Sequence, residues 1–221
     1  MIYNYLLTLI QILKNNLDLI LFITILLTSF IIYYKSRKFY KLSSYQGFKH
    51  FANAFLFLGL SAITSFSKTQ ISSFWINSTQ LVHNSPILKI YESLTFVNYY
   101  FLAMAVFLLI YSLVWKEIKN NRFNILILNL IAFILSYIAY QKEYLFYIVI
   151  IILLIYGIII SYEKYINSKN NHSQLYLLSL ILITISFVIQ LLLGFFEIIQ
   201  TYANVTSIGV FLILLYLTIK K

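Results

Sequence analysis

Glu92, Gln190 and Glu197, joined by Tyr99 and Asn204, are the residues of this chain best suited to hold a polar solute or pass a proton. Each stands in or beside a long apolar run, and carboxylates facing the inside of a membrane bundle often line ion or proton pathways. Only six acids occur among 221 residues, so two in one environment would be a concentration of charge, and Glu197 is the leading carboxylate. A second set combines Lys49, His50 and Asn53 at the mouth of one apolar run with Asn129 inside another. A plainer reading stands beside each set. Glu92 and Glu197 lie near run ends that water and headgroups reach, Lys49 can snorkel, and amides inside spans often serve only as interhelical glue, at about 0.6 kcal/mol each.

Other chemistries find no residues to carry them. The three histidines, His50, His83 and His172, fall on segments that the threading below puts at different membrane faces, so no His-based metal or haem site is expected. The absence of cysteine excludes thiolate catalysis, Cys-ligated metals and disulfides. No Gly-flanked serine with a membrane histidine, no phosphate-cradling loop and no H-E-x-x-H motif is present. The last apolar run holds no internal lysine for a retinal Schiff base, so the likeness to rhodopsins and heptahelical receptors is one of topology alone. The expectation is a protein that is not an enzyme and has no cofactor.

The elements that would position these residues follow from composition. Hydrophobic residues make up 62% of the chain and charged ones 10%, against roughly 45–50% and about 25% in a soluble domain. A soluble fold of this size has too little interior for that apolar surface. A lipid bilayer accepts it, as spans of about 20 apolar residues. Seven such runs occur: Leu17 to Tyr34, Phe48 to Phe66, Ser93 to Trp115, Phe123 to Tyr140, Tyr144 to Tyr162, Leu175 to Phe196, and Tyr202 to Ile219. Their unbroken hydrophobicity lacks the alternation of a membrane β-barrel. The fold class predicted is all-α, a seven-helix integral membrane bundle over 17–221. Residues 1–16 precede it as a short helix in the outer interface, ending at Lys14-Asn15-Asn16. The stretch after the second run, with Trp75 as anchor, reads as a long outer loop, and Ser85-Pro86 as the cap and first turn of the third helix.

Charge sets the direction of threading. One set of connections holds Lys35, Arg37, Lys38, Lys41, Lys49, Lys116, Lys119, Arg122, Lys164, Lys169, Lys220 and Lys221 against Glu117 and Glu163, a balance of +10. The other holds Lys14, Lys68, Lys89 and Lys142 against Asp18, Glu92, Glu143 and Glu197, a balance of zero. The positive-inside rule then puts the N-terminus outside and the C-terminus in the cytoplasm of a multi-pass protein of the cell membrane. The basic loops suit anionic lipid headgroups rather than nucleic acid.

At about 100° per residue the polar positions of each helix mark its inward face. On the second helix these are Lys49, His50, Asn53, Phe57, Ser61 and Thr64, which leaves Phe48, Phe51, Phe55, Leu58, Ala62 and Phe66 for lipid. On the sixth they are Ser179, Ser186, Gln190, Gly194 and Glu197. The fifth helix has almost nothing polar at its centre and is expected to be the most lipid-exposed. A compact bundle would gather Glu92, Tyr99, Gln190, Glu197 and Asn204 in an outer cluster, and Lys49, His50, Asn53 and Asn129 in an inner one.

The stretch YQGFKHFANAFLFLGLSA, Tyr45 to Ala62, resembles a pattern in uncharacterised archaeal seven-helix membrane proteins, with His50 where that pattern has a second basic residue. The resemblance implies a fold and no activity. The function expected is that of a sensor or scaffold subunit acting through a membrane or cytoplasmic protein partner. The alternative is a small-solute or ion transporter with an outer-half polar cavity.

Overall fold

A computed structural model describes the backbone at residues 2–77, 86–116, 121–168, 171–194 and 200–220; side chains are described within 16–72, 86–116, 123–167, 173–191 apart from 175, and 204–219. The chain is all-α. Among the described residues seven helices follow in order: α1 (Ile2–Ser43), α2 (Gln46–Asn77), α3 (Pro86–Val114), α4 (Asn121–Gln141), α5 (Glu143–Ser168), α6 (Asn171–Gly194) and α7 (Gln200–Lys220). Five of them, α1 to α5, are long and apolar enough to cross a membrane. The apolar stretches of α6 and α7 within the described residues are shorter, Tyr176–Leu191 and Asn204–Ile219.

Two boundaries differ from the sequence pattern. α1 runs unbroken through Lys14-Asn15-Asn16 rather than stopping there, and α2 continues past Lys68 to Asn77 through most of the expected outer loop. Polar residues such as Lys, Asn, Ser and Gln are tolerated in a helix and need not end one; only glycine, proline or a lost partner forces the issue. Residues 78–85 lie outside the described part.

The turns have identifiable chemistry. Ser44 takes a left-handed φ of 53° between α1 and α2, and its N–H closes on the Tyr40 carbonyl at 2.8 Å, the usual way of ending a helix. Pro86 opens α3 in the first-turn position, where its missing donor costs nothing. α4 and α5 are separated by Lys142 alone, and Glu143 puts a carboxylate at the positive start of α5.

The helices form a closed ring. α1 packs on α2, α2 on α3, α3 on α5, α5 on α6, α6 on α7, and α7 back on α1. α4 sits outside, packed on α3 and α5 only. It is therefore less buried than α5, contrary to the expectation from composition. Small residues let the helices close up: Gly59 lies against Ser29 of α1, and Gly157 of α5 fits between Ile110 and Leu180.

α2 corrects the sequence reading in a second way. Phe51, Phe55, Leu58 and Ala62, expected to meet lipid, are all buried, as are His50 and Ser61 on the other side. Because α2 lies between α1 and α3 and also faces the ring interior, nearly its whole circumference is covered. Among its described residues, only Leu56 and Ile63 of the large apolar side chains are exposed.

Candidate functional site

One end of the ring is open and the other is filled. At the filled end and through the middle, Phe51 packs at a tilt on Tyr176 (4.4 Å between centroids) and on Phe55 (5.0 Å), and Tyr99 packs on Phe146 at 4.9 Å. The Tyr176 hydroxyl reaches from α6 to Ser112 and to the Leu109 carbonyl of α3. Two lysines cap helix C-termini at this end, where their charge opposes the helix dipole: Lys35 donates to the Thr218 carbonyl of α7, and Lys164 to the Leu113 carbonyl of α3.

Above the aromatic layer lies a cavity of about 720 Å³, within the range of small-molecule sites. Six ring helices contribute to its wall, with Gln141 and Lys142 at the α4–α5 corner. Asp18 comes from α1, Lys68 from α2, Tyr91 from α3, Glu143 and Tyr147 from α5, Gln190 from α6 and Asn204 from α7. The floor is aromatic: the ring of Tyr147 lies 6.2 Å from that of Phe187, three residues before Gln190.

The charged groups are held by specific contacts. Asn204 donates its side-chain N–H to Asp18 at 2.6 Å, linking α7 to α1. The Glu143 carboxylate interacts electrostatically with the hydroxyls of Tyr99 and Tyr147. The Lys68 ammonium lies 5.9 Å from the centre of the Tyr91 ring and interacts electrostatically with Glu143. Phe22 and Phe66 stack at 4.5 Å with their rings nearly parallel, and both line the cavity. Two acids and two lysines thus share one wall of balanced charge. Such a wall can bind polar groups of either sign without burying an excess of one.

Of the outer set expected from sequence, Gln190 and Asn204 come together in this cavity, and Tyr99 joins it from behind through Glu143. Glu92 does not. It is absent from the cavity wall and interacts electrostatically with Tyr140 of α4, which lies outside the ring. Glu197 lies outside the described residues. The residues that sequence reasoning left out are Asp18, Lys68, Glu143 and Tyr147. The first three were visible as the other charges of the same loop set, but two of them sit at the ends of apolar runs and Lys68 in a presumed loop. A longer α2 brings Lys68 onto the wall.

The inner set is not assembled as one cluster. Asn53 accepts a hydrogen bond from Arg37 of α1 at 3.4 Å. His50 is 4% exposed, packs edge-on against Tyr111 of α3 at 4.8 Å, and neither ring nitrogen has a hydrogen-bond partner within the described residues. Lys49, beside it, is partly buried. Asn129 belongs to a different contact: it accepts a 2.6 Å hydrogen bond from Tyr100 and donates to the Ile125 carbonyl. The cause is the position of α4, which meets α3 and α5 and not α2.

No protein-family model matches the chain, and no solved structure matches it. Over 96 residues it is 34% identical to an uncharacterised protein of Archaeoglobus fulgidus, a match that covers 43% of this chain and 42% of that protein. The chain thus spans about two-fifths of the relative's length, and the likeness agrees with an archaeal relationship without extending to an activity.

Proposed function

We propose that the chain is a small-solute transporter of the cell membrane, with its N-terminus outside, its C-terminus in the cytoplasm and its cavity facing out. The observation that carries this reading is the cavity itself, about 720 Å³, walled by charged and polar side chains from six helices of a closed ring. In a lipid-embedded protein such groups are costly unless they serve binding or passage. The aromatic layer of Phe51, Phe55 and Tyr176 beneath is the barrier that a transport cycle would open. The orientation rests on the +10 against zero division of charge. The basic end, with Lys35, Arg37, Lys49, Lys116 and Lys164, is suited to anionic lipid headgroups.

The test uses the natural absence of cysteine. Ser65→Cys, on the cavity wall, should react from outside with a membrane-impermeant maleimide, while Ser43→Cys, exposed at the end of α1, should react only from the cytoplasmic side. For transport, proteoliposomes are incubated with a small-molecule cell extract and their contents compared by mass spectrometry with protein-free vesicles. At least one solute should accumulate through the wild type and less through Ser65→Trp, whose ring narrows the cavity. An unreactive Ser65→Cys would remove the cavity from the argument.

A sensor or scaffold acting through a protein partner is the second reading, favoured by the closed packing of the filled end. It predicts that mild crosslinking in native membranes recovers a stoichiometric second protein and that the vesicle assay shows no accumulation. A solitary chain that accumulates solute would sink it.

A further inference from the structure

We infer that the ligand of this cavity is a small organic zwitterion, carrying an ammonium and a carboxylate on one molecule. This rests on the proposal that the cavity is a solute site and narrows its chemistry. Four charged side chains line the wall, two of each sign: Asp18 and Glu143, Lys68 and Lys142. A ligand with one charge would satisfy one sign and meet repulsion from the other, inside a wall where water screens weakly. A ligand with both charges satisfies both.

The wall also separates the two roles. Asp18 stands one helical turn from Phe22, whose ring stacks on Phe66, so a carboxylate and an aromatic pair occupy the same stretch of wall. That combination suits an ammonium group, which gains from a carboxylate and from aromatic surface together. Lys68 stands on the neighbouring helix beside Tyr91, and suits the ligand's carboxylate. Glu143, from α5, acts electrostatically on Tyr99, Tyr147 and Lys68. Its place is beside Lys68, and the ligand's ammonium falls to Asp18. Gln190 and the Asn204 that holds Asp18 complete the polar contacts without adding net charge.

The experiment follows maleimide labelling of Ser65→Cys in full-length protein in nanodiscs, with six named probes. Glycine betaine is compared with choline, which lacks its carboxylate, and with 3,3-dimethylbutanoate, which lacks its positive charge. L-Valine is compared in the same way with isobutylamine and 3-methylbutanoate. At equal concentration at least one zwitterion should slow labelling tenfold or more, and its singly charged relatives less than twofold. Asp18→Asn and Lys68→Met, each added to the reporter chain and checked for unchanged helix content and a single gel-filtration peak, should each weaken that protection about tenfold. If either variant fails to fold, the probe comparison on the unaltered wall decides alone. Protection by a singly charged relative as strong as by its zwitterion overturns the inference, as does labelling that no zwitterion slows. In both cases the cysteine still reacts, so the cavity reading survives; failure of Ser65→Cys to react at all overturns the two together.

Discussion

The side chain of Asn204, near the start of the last helix, donates to the carboxylate of Asp18 in the first, across 2.6 Å and 186 positions of sequence. It closes the helical ring at the open end, as the Lys35 ammonium on the Thr218 carbonyl closes the same α1–α7 seam at the other. Buried Thr28 and the Phe211 carbonyl meet between them at 3.4 Å. The seam is therefore held at three levels.

Breaking the upper level should loosen it measurably. Asn204→Leu removes the donor to a charged acceptor, and the expected loss is about 1.5–3 kcal/mol, read as a lower unfolding temperature in detergent. Asn204→Asp, which sets two carboxylates together, should cost more at neutral pH than Leu does. Equal stability of all three proteins would show that the contact does not hold the ring.

His50 offers a sharper contrast. Its ring is buried against Tyr111 with both nitrogens unpartnered among the described residues. His50→Phe keeps the edge-on contact and deletes two buried polar atoms, so stability should be unchanged or higher. His50→Ala leaves a void and should cost roughly 2–4 kcal/mol. A Phe variant as unstable as the Ala variant would mean that the imidazole has a polar task in the fold.

Two glycines should respond to alanine in opposite directions. A Cβ at Gly47 would clash with the Tyr45 ring and meet Trp115 Nε1 at 2.9 Å and the Ser112 carbonyl at 3.0 Å, whereas a Cβ at Gly209 meets nothing within 4 Å. Gly209→Ala should gain about 0.5–1 kcal/mol from helix propensity. Gly47→Ala forces the α2–α3 junction apart and should cost roughly 1–3 kcal/mol. Thermal unfolding of the two variants side by side checks both signs.

The threading has its own test. A C-terminal green fluorescent protein should glow and a C-terminal alkaline phosphatase should stay inactive, as both report a cytoplasmic end. Active phosphatase would reverse the orientation and turn the cavity inward.

Much of this was legible in the sequence. The all-α fold class follows from the uninterrupted apolar runs, five of which lie on helices long and apolar enough to cross a membrane, because a backbone in an apolar environment must satisfy its own hydrogen bonds. The start of α3 at Pro86 was written in one residue. Gln190 and Asn204 were picked out because an amide in an apolar run needs a polar neighbour. What helical periodicity could not supply is which helices touch. A polar stripe gives one direction per helix, while α2 is enclosed by α1, α3 and the ring interior, so its phenylalanines are as buried as its polar side. The same gap separates Asn129 from Asn53 and turns Glu92 toward Tyr140. Sequence alone determined the apolar helices and the segregation of charge, which are sums over local composition. Tertiary structure decided that Asp18, Lys68 and Glu143 share one cavity, because that depends on ring closure between α1 and α7 and on α4 being left outside, contacts that no periodicity within a single helix encodes.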